Sequence, residues 1–150
     1  NVRTAFEATR LALPALRAAR GAIVNVSAAA TARAGAGMGA YTAAKSAVSR
    51  LTEALAAEEL ANGVRVNAVM PSVIDTPANR RDMPDADPSR WVTPSEIAEV
   101  VAFLLSPAAS GVTGPKSARS RSGVSTRWSL SISPSCAWRR AGATLPSHLQ

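Results

Sequence analysis

The chain has 150 residues, 47% of them apolar, which is enough to bury a core, and it has no apolar run near the roughly 18 residues of a membrane-spanning helix. The net charge of +7 is uneven: residues 1–115 carry 11 basic and 10 acidic side chains, whereas residues 116–150 carry six basic ones and no acid. Cys136 and His148 are the only cysteine and histidine, which argues against disulfide frameworks, Cys/His metal sites and Ser–His or Cys–His catalysis, and suits a reducing cytoplasm.

The chain opens at Asn1, without a methionine and already inside a helical pattern, so a cut start is expected. Arg3, Glu7, Arg10 and Arg17 interrupt any secretory signal. Val2, Phe6, Thr9, Leu13 and Leu16 fall at helical spacing and predict a helix to about Arg20, loosened by Pro14 and ended by Gly21. The run 22–27 reads as a short, mostly buried strand, and a loop of small residues, 28–39, follows. A second helix is predicted over about 40–60, with Ala44, Val48, Leu51 and Leu55 as its apolar stripe and Asn62-Gly63 as its stop. Residues 64–69 form a second strand. Strand, crossover helix and strand make a βαβ unit with parallel strands, and ligands of such sheets sit beyond the strands' carboxyl ends, here Ser27–Ala28 and Met70–Pro71.

Residues 71–92 carry Pro71, Pro77, Pro84 and Pro88 and read as a long connection over that edge, a candidate lid. Thr93-Pro94-Ser95-Glu96 is a helix start with a threonine cap, an early proline and a glutamate closing the box. Ile97, Val100, Val101 and Leu104 then give an amphipathic helix ending at Ser106-Pro107. From Lys116 onward the chain is rich in serine and arginine, contains Trp128 and Trp138, and shows no helix or strand period; an irregular or disordered tail is expected.

Within the second helix, Tyr41-Thr42-Ala43-Ala44-Lys45 puts a phenol and an ammonium one turn apart on one face. A cation beside a phenol favours the phenolate, so the pair can move a proton near neutral pH while the lysine keeps donors for another acceptor. Taken alone the spacing is a weak pattern and more often that of a surface pair.

In combination, residues 1–115 resemble the short-chain dehydrogenase/reductase superfamily. The resemblance rests on Asn1 opening a helix that runs through Ala12-Leu13-Pro14, on Ile23-Val24-Asn25-Val26-Ser27, on Tyr41-x-x-x-Lys45, and on Val64 to Pro71 leading into Asp75-Thr76-Pro77. It implies the catalytic half of a Rossmann-type, doubly wound parallel α/β sheet and hydride transfer with NAD or NADP. By resemblance Tyr41 is the proton donor or acceptor, Lys45 tunes it and holds the nicotinamide ribose, and Asn1 anchors a water in the proton relay. The run from Pro71 through Ile74 to Thr76 wraps the nicotinamide end, with Thr76 near the carboxamide or pyrophosphate. The resemblance further implies a small carbonyl, alcohol or pterin-like substrate and a homo-dimer or homo-tetramer built on the first two helices.

Three departures stand beside this resemblance. The family's serine, 13 residues before the tyrosine, is Ala28 here; Ser27 is adjacent, but neighbouring strand residues face opposite sides. A missing serine is shared by dihydropteridine reductase, which Asp75 to Asp87 and Gly37 to Tyr41 also resemble. The glycine-rich turn that cradles a pyrophosphate is absent, and Gly35-Ala36-Gly37-Met38-Gly39 does not have its spacing. Finally, no apolar strand follows Gly114. A reading-frame change explains the acid-free tail, and its rival is a genuine basic tail binding nucleic acid non-specifically. A different class of reading is a non-enzymatic remnant that acts through association with another chain.

Overall fold

The computed structural model describes residues 1–114 and the backbone of the strand at 116–119. The chain runs α1 (Val2–Ala19), β1 (Ala22–Val26), α2 (Gly39–Glu58), β2 (Arg65–Pro71), α3 (Pro77–Asp82), α4 (Pro94–Leu105) and β3 (Lys116–Arg119), with short 3-10 turns between them. The strands form one sheet in the order β1-β2-β3, and both pairings are parallel, Val26 aligning with Val69 and Ala68 with Lys116. This is the α/β arrangement expected of the βαβ pattern.

The core follows from the position of β2. Consecutive residues of a strand face opposite sides, and Val66 to Pro71 are all buried, so both faces of β2 are covered. On one face Val64 and Val66 pack with Leu55 and Ala56, flanked by Leu13, Leu16, Ile23 and Leu51. Helix α4 packs against β1 and β2 and contributes the buried Leu104. Arg65 ties this helix down, donating from Nη1 to the Leu104 carbonyl at 2.6 Å and from Nη2 to Ser106 at 3.2 Å, where the last carbonyls of a helix need donors. Strand β1 is only half-buried, because its outer edge has no neighbouring strand among the described residues.

Helix α1 is continuous to Ala19 with Pro14 inside it. Other expectations change in detail. The left-handed residue after that helix is Arg20 (φ 48°) and not Gly21. Gly21 instead leaves room for Leu16: a Cβ there would lie 2.6 Å from Leu16 Cδ2 and the leucine would have to turn aside. At Gly63 the expected stop holds, with φ +73° in the region only glycine enters cheaply. The buried stripe of α2 contains Thr42, Ser49 and Thr52 beside Val48, Leu55 and Ala56. These hydroxyls satisfy themselves locally, Thr52 Oγ1 donating to the Val48 carbonyl at 2.8 Å and accepting from Asn25 Nδ2 at 2.9 Å.

Residues 71–92 are more ordered than a plain loop. Asp75 N donates to the Val92 carbonyl at 2.8 Å and Val92 N to Val73 at 2.9 Å, so the two ends of the connection are pinned together around α3. The reading of an irregular tail from residue 116 is corrected at its first four residues, which form β3. The open edge of β2 supplies backbone partners there whatever the side-chain pattern, and pattern was the only signal available in the sequence. Cys136, His148 and the rest of the basic tail lie outside the described residues. Among the described residues no helix is long and apolar enough to cross a membrane.

Candidate active site

The carboxyl ends of β1 and β2 and the first turns of α2 meet at one cavity of about 450 Å³. Tyr41 and Lys45 line it from α2, Val26 to Ala28 from the end of β1, Pro71 to Ile74 from the end of β2, and Asn79 and Met83 from α3. Parallel strands joined by a crossover helix leave such a crevice at their carboxyl edge by construction.

Helical spacing brings Tyr41 and Lys45 to the same wall. Tyr41 is exposed, and Lys45 reaches across to β1, its Nζ donating to the Val26 carbonyl at 2.8 Å. In β1 the N–H groups of odd-numbered residues face β2, since Ser27 N donates to Val69 and the Gly21 carbonyl accepts from Arg65 N. The Val26 carbonyl therefore points to the open edge, and Lys45 takes the place a further strand would take for that one group. An ammonium has three N–H donors, and this bond uses one.

Ser27 and Ala28 separate as the strand alternation requires. Ser27 is buried, and its Oγ donates to the Lys45 carbonyl at 2.9 Å and lies 2.7 Å from Ser49 Oγ. Its hydroxyl is spent on holding α2 to β1. Ala28, extended at φ −153°, ψ 146° and 5% exposed, presents a methyl group to the cavity.

Of the other sequence-derived candidates, Pro71 and Ile74 line the cavity. Thr76 does not; it caps α3, its Oγ1 accepting from Asn79 N at 3.2 Å. Asn1 also lies outside the lining residues, exposed at the amino end of α1, where its carbonyl accepts from Ala5 N at 3.1 Å. Asn79 and Met83 are not among the sequence-derived site residues, and Ser72 falls among them only as part of the segment from Pro71 to Thr76. Asn79 donates from Nδ2 to the Ile74 carbonyl at 2.7 Å, which folds α3 back over the end of β2. Beside it, Arg80 and Asp75 form a two-bonded pair, Nη2 to Oδ2 at 2.8 Å, that holds the Asp75 carboxyl below its ordinary range.

The cavity is suited to one end of a dinucleotide. It offers a phenol and an ammonium with two donors unused among the described residues, and Ser72 stands in its wall with its Oγ buried and without a hydrogen-bond partner among the described residues. Apolar side chains of Val26, Met38, Val73 and Met83 make up much of the remaining wall. Such a lining favours a flat, largely uncharged ring.

Comparison with known proteins shows the family and the fold. A family model described as enoyl-(acyl carrier protein) reductase matches residues 1–118. The short-chain dehydrogenase srdC of Neurospora crassa is 43% identical over 114 residues, which is 69% of this chain and 42% of that protein. The 3-ketoacyl-(acyl-carrier-protein) reductase of Brucella melitensis, solved with NADH, superposes with a TM-score of 0.73 at 29% identity, over 81% of this chain and 54% of that one. A further solved structure, a short-chain dehydrogenase/reductase family protein, gives a TM-score of 0.74 at 39% identity, over 79% of this chain and 52% of that one. The chain thus spans about half or less of the length of these relatives.

Proposed function

This chain belongs to the short-chain dehydrogenase/reductase superfamily, and from that premise we propose that it is the catalytic half of an NAD(P)(H)-dependent oxidoreductase. The observation that carries the proposal is the meeting of Tyr41 and Lys45 with the end of β2 in one cavity at the carboxyl edge of a parallel sheet. The nicotinamide cofactor, when bound, supplies or accepts the hydride. Lys45 holds a ribose hydroxyl with the donors its bond to Val26 leaves over. Tyr41 delivers or removes the proton at the substrate oxygen or nitrogen, and Pro71, Ile74 and Thr76 belong to the segment that closes around the nicotinamide. Asn1 anchors a water in the proton relay. NAD and NADP are both admitted, because the side chain that chooses between them stands about 20 residues after the glycine-rich turn, and this sequence does not contain that turn.

The substrate is a small carbonyl compound or alcohol, or a pterin-like ring with a C=N bond. The methyl of Ala28 and the apolar wall support a flat acceptor that needs no hydroxyl at that position. A homo-dimer or homo-tetramer would use α1 and α2, where Val2, Phe6 and Leu11 are exposed. The open edge of β1 favours a second reading, in which the chain acts only through association with another chain.

Titration of the 150-residue chain with NADH, followed by NADH oxidation against a panel of small ketones and quinonoid pterins, separates the two readings. Saturable NADH binding that is weakened by Lys45→Met is expected. Absence of NADH binding defeats the enzyme reading for this chain.

A further inference from the structure

One buried polar atom beside this cavity has no hydrogen-bond partner among the described residues. Ser72 follows Pro71 at the end of β2 and lines the cavity with Tyr41 and Lys45, yet its Oγ is buried and without a hydrogen-bond partner among the described residues. The neighbouring polar groups are engaged: Ser27 Oγ with the Lys45 carbonyl and Ser49, Asn79 Nδ2 with the Ile74 carbonyl, Lys45 Nζ with the Val26 carbonyl. A buried hydroxyl without a partner is unfavourable, so no bond holds Ser72 in this rotamer. Residue 72 as a whole is only half-buried, and rotation about χ1 between staggered positions moves its Oγ to another side of the backbone. Continuing the ladder from Val26–Val69 puts Ala28 level with Pro71, so Ser72 stands one residue beyond the level at which β1 offers only a methyl.

We propose that Ser72 is a ligand-anchoring residue whose hydroxyl turns into the cavity and hydrogen-bonds the carboxamide of a nicotinamide ring bound against Tyr41 and Lys45. The inference rests on the cofactor reading given above and adds to it a side chain that positions the ring. A serine hydroxyl donates one hydrogen bond and accepts others, and a primary carboxamide presents both an acceptor oxygen and N–H donors, so the two groups match in either orientation. The bond replaces an unsatisfied buried hydroxyl with a satisfied one, which makes the bound state the better environment for Ser72.

The test uses the whole 150-residue chain, titrated calorimetrically with NADH and with ADP-ribose, which lacks the nicotinamide ring. Ser72→Ala is expected to weaken NADH binding roughly three- to tenfold, the span of one net hydrogen bond, and to leave ADP-ribose unaffected. Its melting temperature should be unchanged or higher, because the substitution removes a buried polar atom that had no partner. Unchanged NADH affinity in Ser72→Ala, alongside a loss in Lys45→Met, overturns the role of Ser72 and leaves the cofactor reading standing. A lowered melting temperature with unchanged NADH affinity makes Ser72 a structural residue and overturns the role as well. If the unsubstituted chain binds no NADH, both readings fall together.

Discussion

Ser27 and Ala28 are neighbours in sequence, and strand alternation sends them to different tasks. The Ser27 hydroxyl is buried and its proton is tied to α2, so it has no donor left for a ligand. Alternation made this much legible in advance. What was not legible was Ser72, because burial of a single atom at the end of a strand depends on how the connection after it folds back. At this scale the pair on α2 carries the sharpest prediction. Tyr41 is exposed and lines the cavity, and Lys45 is fixed through Val26, so a phenylalanine at position 41 keeps the ring and loses only the hydroxyl proposed to carry the proton. Tyr41→Phe should therefore bind NADH about as well as the parent and lower turnover by roughly 10²- to 10⁴-fold, the usual contribution of a placed acid or base. Steady-state kinetics with parallel NADH titration checks this. Equal loss of binding and turnover would make Tyr41 a packing residue of the site.

Among the elements, two helix starts carry the same sequence signal, and only one was read from it. Thr93-Pro94 and Thr76-Pro77 each place a capping threonine before a proline, and both threonines accept a backbone N–H three residues on. The glutamate of the capping box and the longer apolar period drew attention to α4, whereas α3 has six residues and no apolar stripe. Had the cap at Thr76 been followed, helical spacing would have put Asn79 and Met83 one turn apart on a common face. Thr93→Ala removes the α4 cap and is expected to cost about 1 kcal/mol, read from urea denaturation midpoints at constant slope. The other inter-element tie is electrostatic. Arg17 on α1 donates from Nε to Glu59 Oε2 at 2.8 Å just beyond α2, and Asn62 donates to the same oxygen at 2.9 Å.

The Arg17 hydrogen bond, helped by Asn62, holds the buried Glu59 carboxyl at about 2 against an ordinary 4.5, although burial alone would raise it. The folded chain thus takes up this proton less readily than the unfolded one. The stabilisation is complete above pH 4.5 and is lost as the pH falls towards 2. Denaturation of the parent and of Glu59→Gln, followed from neutral pH down to about 2, should show the parent more stable at neutral pH and the difference closing on acidification. Parallel curves over that range would show that the carboxylate is not what the pair contributes.

For the whole molecule, the topology sets unequal protection across the sheet. Strand β2 is paired on both sides, and where β3 has not yet begun, Val66 N donates to Thr113 Oγ1 at 3.1 Å while Gly114 N donates to the Val66 carbonyl at 2.8 Å. Its amides can exchange only when the sheet opens, so they should be the slowest in the described fold. Strand β1 is paired on one side. The direction fixed by Ser27 N to Val69 turns the N–H groups of Ile23 and Asn25 towards β2 and those of Ala22, Val24 and Val26 to the open edge. Two of the three strands, β1 and β2, and their parallel order were legible, since apolar runs flanking a helix carry that information, but β3 was not, and half-burial of β1 reflects what lies beside it, which no local pattern encodes. Hydrogen exchange followed residue by residue should show Val24 and Val26 exchanging well ahead of Ile23 and Asn25 in dilute solution. An exposed strand edge is also a template for pairing with another chain, which would slow the outward amides selectively. Equal protection of even and odd residues in β1 would mean that the edge is already covered, and it would shift weight from a free-standing catalytic half to a chain that works as part of an assembly.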